Sequence, residues 1–417
     1  MFWREQRLKW TDEHRRTLRA LEVSEDGPGT VLRDFQMLLS FVRERELPAS
    51  KTYQLPPRKV LPEINARLAR PIELGLKQPQ LKSYPHIHGL YLLLRASGLG
   101  CIRGTPSKPV LAIDEAVNHS WSSLNPTERY FTLLETWLLR GYPEIVGERG
   151  NRFRFIGDYF HDCASLIYEA HEDGLAVVDS DRAERYLRYS PGLYGVALLE
   201  LFGFLMVQHG QPREGQAWQI EHLSSTLLGT AIFALLAEGM FSDVHRVREL
   251  EDTPPESFGV LQPTVQPHVP AWRTNLSLPV WAFREGIHVF KVSLWRGLWR
   301  RIAVPGQLTM DTLATTIINA FEFTHDHLYR FSYRNSFGVE KHITHPYLEE
   351  EPLTSEVLVG QVPLREGQSM IYLYDFGDWW EFDVTLERVD SPDPAMKEPA
   401  ILDARGEAPE QYPSWDE

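Results

Sequence analysis

The sequence predicts an α+β protein with a mainly helical N-terminal region and a C-terminal sheet domain. Three observations predict it. Apolar residues recur at helical spacing through residues 1–250, and prolines crowd residues 251–286. From Ile287 onward, short segments alternate between apolar and polar residues, as half-buried strands do.

Length and composition are those of a globular protein with more than one domain. The chain has 417 residues, 43% of them hydrophobic and 24% charged, which is too long for one ordinary core. Its cysteines, Cys101 and Cys163, exclude a disulfide scaffold and a zinc site built on four thiolates. No apolar signal segment opens the chain, and the apolar stretches are shorter than the roughly 20 residues of a membrane span. We therefore expect a cytoplasmic protein without membrane association.

One N-terminal helix carries clear start and stop signals. Asn125 can cap it, Pro126 suits its first position, and Glu128 can close a capping box. Gly141 follows the apolar run, and glycine commonly ends a helix. We therefore predict a helix between Pro126 and Gly141.

Two more N-terminal helices are predicted from nearly continuous apolar sequence, over residues 194–208 and 221–238. They are apolar on nearly every side, so we expect them at the centre of a helical bundle. The first is interrupted by an acid, Glu200. Residues 251–286 then form a proline-rich linker, which keeps enough apolar side chains to dock along the surface.

A basic segment contrasts with the acidic chain. The whole chain has a net charge of −14, whereas residues 51–110 hold ten basic and two acidic residues and so carry +8. Such asymmetry points to a polyanionic partner. An accidental surface charge is the alternative.

The order of elements in this segment is typical of a winged helix, over residues 53–114. A helix from Tyr84 to Ser97 precedes a basic hairpin that turns at residues 104–107. A winged helix places such a helix in the major groove and touches phosphate with the hairpin. The candidate DNA-contacting residues are His88, Tyr91, Arg95, Arg103 and Lys108. The helix offers few side chains that read base edges, so a protein-binding module is the alternative.

The C-terminal domain, residues 287–389, is predicted to be a sheet with one helix packed on it, in the order β-β-α-β-β-β. Apolar and polar residues alternate from Trp380 to Glu387, which predicts a strand with one buried face. Thr309 can cap the helix. Residues 390–417 are predicted to be an acidic tail.

Several motifs of this domain occur together in a known family. They are Trp299-Arg300-Arg301-Ile302 before Val304-Pro305, Leu308 and Leu313, His327-Leu328 with Phe331, Tyr374-Asp375-Phe376-Gly377-Asp378 before Trp380, and Leu386-Glu387. In this order they resemble the plasmid pRiA4b ORF-3-like family. The resemblance implies the sheet fold, a bacterial origin and an association with plasmids and mobile elements. It implies no reaction, ligand or catalytic residue.

The sequence favours a non-enzymatic binding or interaction protein. Motifs for an activated nucleophile are absent from it, so no catalytic residue and no cofactor is expected. Its expected partner is DNA or another protein, and the oligomeric state stays open. The competing class is a metal-dependent enzyme, because imidazole and carboxylate groups together bind zinc, manganese or iron. The candidate metal ligands are His325, His327, Asp375 and Asp378.

Overall fold

The chain combines helices and strands and divides into two compact units. The computed structural model describes residues 8–105, 108–148, 156–171, 174–177, 181–252 and 257–412. The first unit comprises Met1–Cys101 and Leu111–Pro279, and the second comprises Ile102–Val110 and Val280–Glu417. Two turn residues of the predicted basic hairpin, Pro106 and Ser107, lie outside the described residues.

Helices dominate the first unit and strands dominate the second. The helices are α1 (Asp12–Arg19), α2 (Val31–Arg45), α3 (Leu61–Arg67), α4 (Pro85–Ala96), α5 (Glu115–Ser123), α6 (Pro126–Arg140), α7 (Ile156–Glu169), α8 (Asp181–Tyr189), α9 (Leu193–Leu201), α10 (Leu227–Gly239), α11 (Val244–Asp252), α12 (Gln262–Val265) and α13 (Met310–Ala320). The strands are β1 (Leu47–Pro48), β2 (Gly100–Thr105), β3 (Lys108–Ile113), β4 (Leu175–Ala176), β5 (Leu205–His209), β6 (Ile220–Ser225), β7 (Ile287–Trp295), β8 (Leu298–Pro305), β9 (Tyr329–Arg334), β10 (Glu340–Thr344), β11 (Ser369–Tyr374), β12 (Trp380–Asp390) and β13 (Ala400–Arg405).

α4 is the central helix of the first unit. Every residue from Pro85 to Ala96 is buried, and the helix packs against α9, α6 and α2. Gly89 lets α9 approach closely, since a Cβ at this position would lie 2.8 Å from Cγ of Leu198. The absence of a side chain at Gly89 therefore sets how near α4 and α9 come to each other.

The winged-helix prediction is not confirmed, although α4 is followed by the β2–β3 hairpin in the predicted order. All residues of α4 are buried, so the helix has no exposed face to place in a DNA groove. The hairpin pairs with β1 in the order β1-β3-β2, and residues Ile102–Val110 belong to the second unit.

The predicted helix between Pro126 and Gly141 is confirmed as α6. Asn125 accepts the N–H of Glu128 at 2.9 Å, and the Glu128 carboxylate accepts the N–H of Asn125 at 2.8 Å. These reciprocal bonds form the predicted capping box. Gly141 is the C-cap residue.

The other two predicted helices are shorter than expected. α9 ends at Leu201, and after Gly203, which has a φ of +74°, the chain continues as strand β5. α10 begins at Leu227, where the Thr226 hydroxyl caps it by accepting the N–H of Gly229 at 3.0 Å. A short apolar run such as Leu205–Val207 reads alike in a helix and in a strand, which is why β5 was missed. Among the described helices none is by itself long and apolar enough to cross a membrane; α10 and α11 meet that test only as a pair bent by 96°.

The proline-rich segment packs on α6 of the first unit. Trp272 is fully buried and stacks on Phe131 with ring centroids 4.9 Å apart. The fully buried Glu135 carboxylate accepts the N–H groups of Gly259 at 2.9 Å and Leu261 at 3.0 Å. These contacts tie residues 259–272 into the helical core.

The second unit contains a seven-stranded sheet with α13 packed on one face. The strand order is β10-β9-β11-β12-β7-β8-β13, and neighbouring strands run antiparallel. The core between helix and sheet includes Leu313, Ile317, Phe331, Tyr372 and Phe382.

The predicted β-β-α-β-β-β order omits the two edge strands. β10 lies where a loop was expected, and β13 lies in the predicted acidic tail, residues 390–417. An edge strand is paired on one side only and need not show a buried face. In β13, Ile401 and Leu402 are 51% and 50% exposed, so its sequence lacks the alternation that marks a buried strand.

Candidate metal centre

Two histidines and a glutamate converge in the first unit. His86 lies in the first turn of α4, Glu200 in the last turn of α9, and His209 at the end of β5. Nε2 of His86 is 2.7 Å from Oε2 of Glu200, and Nε2 of His209 is 3.1 Å from Oε1. Over the described ranges, this is the one place where ligand atoms from three histidine, cysteine or acidic side chains lie within 4.8 Å of one another.

Packing orients both imidazole rings. His86 is 3% exposed and Trp218 is 5% exposed. The Trp218 ring contacts His86 and His209 edge-on, with centroid distances of 4.9 Å and 5.4 Å. Because Trp218 packs against both rings, it helps to hold their Nε2 atoms toward Glu200.

Glu200 is ionised despite its burial. Burial alone would raise its pKa, but hydrogen bonds with His209 and His86 lower the pKa to about 2. A deprotonated carboxylate is the form that binds a metal ion. Nη1 of Arg70 also lies 3.4 Å from Oε1 of Glu200, with the Arg70 side chain 64% exposed.

A pocket of about 290 Å³ adjoins this cluster. Its polar lining includes Thr30, Asp34, Arg70, His86, Glu200 and Thr226. Burial raises the pKa of Asp34, whose Oδ1 accepts the N–H of Ala69 at 2.7 Å. The pocket gives space for a further ligand beside the three converging side chains.

The donor set matches what a zinc ion requires. Zinc is bound by imidazole nitrogen and carboxylate oxygen at about 2.0–2.2 Å, and two ligands of a tetrahedral ion at these distances lie about 3.4 Å apart. Nε2 of His86 and Oε2 of Glu200 are 2.7 Å apart, and Nε2 of His209 and Oε1 of Glu200 are 3.1 Å apart. Each histidine nitrogen would therefore need to move about 0.3–0.7 Å farther from the Glu200 carboxylate to hold an ion.

These three residues were not among the predicted site residues. Neither histidine belongs to a sequence motif, and His86 and Glu200 are 114 positions apart. The available signal was Glu200 itself, an acid within an otherwise apolar helix. A buried acid needs partners, but nothing in the sequence identifies which ones.

Three of the five residues predicted to contact DNA are buried. His88, Tyr91 and Arg95 are 3%, 1% and 3% exposed. The Tyr91 hydroxyl donates to the backbone oxygen of Gln54, and Nη2 of Arg95 donates to Oε1 of Gln54 at 3.1 Å. Burial lowers the pKa of His88 to about 4. Arg103 and Lys108, in the hairpin, are exposed, so only the predicted phosphate contacts lie at the surface.

The predicted metal ligands of the C-terminal domain come together only in part. Nδ1 of His327 is 3.4 Å from Oδ2 of Asp375, and Nε2 of His327 is 2.5 Å from the Tyr412 hydroxyl. His325 instead has its Nε2 2.7 Å from Oδ1 of Asn319. His327 and Asp375 therefore form a pair, while His325 is engaged elsewhere.

Asp375 and Asp378 lie in the tight turn between β11 and β12. Oδ1 of Asp375 accepts the N–H groups of Gly377 at 2.8 Å and Asp378 at 3.3 Å. Asp375 and Trp379 have positive φ values of 59° and 58°, which are uncommon for residues other than glycine. Asp375 is thus an acceptor that stabilises the turn.

The arginine motif of the C-terminal domain stabilises its sheet. Nε of the buried Arg300 donates to the oxygen of Ala320 at the end of α13 (2.8 Å), and Nη1 donates to the oxygen of Arg405 in β13 (3.1 Å). Nε of Arg301 donates to Oε2 of Glu387 at 2.7 Å. The motif therefore joins the helix end, the edge strand and β12 to β8.

Part of the second unit matches a known protein family. Residues 287–412 match the sequence model of the family described as plasmid pRiA4b ORF-3-like protein. The C-terminal domain is a pRiA4b ORF-3-like domain. The resemblance predicted from the arginine, histidine and Tyr374–Asp378 motifs is thereby confirmed for this part of the chain.

Two similar proteins are described as uncharacterized or of unknown function. The uncharacterized protein y4hQ of Sinorhizobium fredii (strain NBRC 101917 / NGR234) is 32% identical over 117 residues, which cover 26% of this chain and 56% of that protein. The chain thus spans about half the length of this relative. The crystal structure of a protein of unknown function from Methanosarcina mazei Go1 is 27% identical and covers 30% of this chain and 71% of its own, with a TM-score of 0.27. A TM-score of that size does not establish a shared fold.

Proposed function

We propose that the chain is a divalent-metal-binding protein whose functional centre is formed by His86, Glu200 and His209. The observation that carries the proposal is the convergence of three metal-binding atoms within 4.8 Å. They come from α4, α9 and β5, so their meeting is a property of the folded unit. Two imidazoles and a carboxylate are a donor set of zinc enzymes and of non-haem iron proteins.

Zinc is the ion that we expect at this centre. Three protein ligands leave one position of a tetrahedral zinc ion for water or a small ligand, which is the arrangement of catalytic rather than structural zinc sites. The pocket that His86 and Glu200 help to line would hold that fourth ligand. When bound, zinc would supply a Lewis acid and lower the pKa of its water.

A zinc titration of the dialysed full-length chain against a chromophoric chelator tests the proposal. We expect one high-affinity zinc per chain, little response to magnesium, and a loss of affinity of about 100-fold or more in His86→Ala and His209→Ala, since even residues that only support metal ligands contribute 10–100-fold. His119→Ala, which changes an exposed histidine of the same unit, should bind like the wild type. Equal affinity in all four proteins, each checked for folding by circular dichroism, would rule out this centre.

DNA binding and a plasmid or mobile-element role stay predictions, supported by the basic composition of residues 51–110 and the family resemblance. The exposed Arg103 and Lys108 are the candidates that remain at the surface. If they contact phosphate, replacing both with alanine should weaken duplex binding and flatten its salt dependence. That role would be contradicted if the wild type did not bind DNA at low salt, or if the double variant bound DNA as tightly as the wild type.

A further inference from the structure

A second cleft of the first unit is lined by basic side chains. Its volume is about 780 Å³, within the range of small-molecule sites. Among the described residues that line it, Lys82, Arg188 and Arg213 are basic and Glu221 is acidic. The described lining residues therefore hold more basic than acidic side chains, in a chain whose net charge is −14.

The acid of this cleft is already engaged. Oε2 of Glu221 accepts a hydrogen bond from Nε2 of Gln208 at 2.6 Å. Further polar side chains among its described lining residues are amides and a hydroxyl: Gln211, Gln216, Gln219 and Ser83. Lysine, arginine and amide nitrogens all donate hydrogen bonds, so the lining is suited to a ligand that accepts them.

Backbone contacts fix the wall that carries Arg213. The N–H of Gly75 donates to the oxygen of Gln216 at 3.1 Å, and the N–H of Gly215 donates to the oxygen of Gly75 at 3.0 Å. The two segments pack so closely that a Cβ on Gly75 would lie 1.8 Å from the oxygen of Arg213. The loop between β5 and β6 is thus held in place before any ligand binds, which lowers the entropic cost of binding.

We propose that this cleft binds a small polyanion bearing phosphate or carboxylate groups. Guanidinium groups bind both anions through paired hydrogen bonds, and a lysine adds a point charge. A small ligand is favoured over nucleic acid because the cations line a concave cleft that also contains the buried Trp218. Trp218 contacts the histidines of the metal centre, so the anion would lie beside that centre without needing the metal.

Calorimetric titration of the full-length chain, without added metal, tests this proposal. Fructose 1,6-bisphosphate and tricarballylate serve as the phosphate and carboxylate probes. At low salt we expect one of them to bind with an affinity that falls as salt is added. The Lys82→Ala/Arg213→Ala variant should bind that probe at least about 10-fold more weakly, since it would lose the charge-assisted hydrogen bonds to both side chains.

The matched control is Arg58→Ala/Lys59→Ala, which removes two exposed cations of the same basic segment that do not line the cleft. It should bind the probe like the wild type. The proposal would be overturned if the wild type bound neither probe at low salt, or if both double variants lost the same amount of affinity for the probe. The proposal would also be overturned if short duplex DNA bound to the chain, if this binding required Lys82 and Arg213, and if neither probe displaced the DNA. These outcomes are independent of zinc, because none of the titrations contains it.

Discussion

His288 lies in β7 and is only 1% exposed. Burial, together with the charge of Arg284, lowers its pKa from 6.5 to about 4. Between these two pH values the unfolded chain binds a proton that the folded domain does not. The stability of the C-terminal domain should therefore fall as the pH drops through this window, by up to about 3 kcal/mol.

The substitution His288→Leu should remove that acid sensitivity, because leucine fills the site and has nothing to protonate. Urea unfolding of the full chain, followed by a signal from the C-terminal domain between about pH 7 and pH 4, measures it. His325→Leu, at an exposed position of the same domain, should keep the wild-type dependence on pH. A His288→Leu variant that loses stability in parallel with the wild type would contradict this assignment.

Glu135 stabilises the first unit as a buried acceptor. Glu135→Leu would leave the N–H groups of Gly259 and Leu261 without their acceptor. We expect the free energy of unfolding to fall by about 2–5 kcal/mol, since each unsatisfied buried group costs about 1–3 kcal/mol. Glu135→Gln keeps an acceptor oxygen and should cost clearly less in chemical denaturation. Equal losses in the two variants would show that these hydrogen bonds do not account for the effect.

At the level of single residues, the sequence predicted structural roles better than functional ones. The capping box of Asn125 and Glu128 could be predicted because it depends on residues three positions apart. The approach of His86 to Glu200 depends on how α4 packs on α9, and no local pattern encodes that. The neighbouring His325 and His327 suggested a site because they are close in sequence, yet their side chains have different partners.

Gly89 controls the contact between the two helices that carry His86 and Glu200. In the wild-type background Gly89→Ala should destabilise the protein by about 1–3 kcal/mol, because its Cβ would overlap Leu198. With Leu198→Ala already present, the same change should be neutral or stabilising, since the overlap is gone and alanine favours a helix over glycine by about 1 kcal/mol. A double-mutant cycle on unfolding free energies measures this coupling. Additive effects of the two substitutions would contradict the close packing.

The elements with strong local signals were predicted, and those that depend on tertiary pairing were not. Strands β7, β8, β9, β11 and β12 have buried faces, and all five were expected. β13 is an edge strand with mostly exposed residues, and the edge strand β10 is exposed at its first two residues, so pairing with β8 and β9, rather than an apolar pattern, defines them. β5 was read as the continuation of α9 because both are apolar, and the turn at Gly203 separates them.

Across the whole molecule, the net charge of a sequence segment does not show which of its charged side chains lie at one surface of the folded protein. Residues 51–110 carry +8, but Arg95 is buried and Arg67 forms a salt bridge with Glu63 at 2.7 Å. Residues Ile102–Val110 belong to the second unit. Part of the positive charge instead lies in the cleft lined by Lys82, together with Arg188 and Arg213 from distant parts of the chain.

We propose that the first unit holds a metal ion between α4, α9 and β5. An anomalous difference map from crystals grown with zinc, recorded at the zinc absorption edge, tests it most directly. We predict a peak about 2.0–2.2 Å from Nε2 of His86, Nε2 of His209 and a carboxylate oxygen of Glu200. A map in which zinc binds elsewhere, with the two histidines still hydrogen-bonded to Glu200, would contradict the claim.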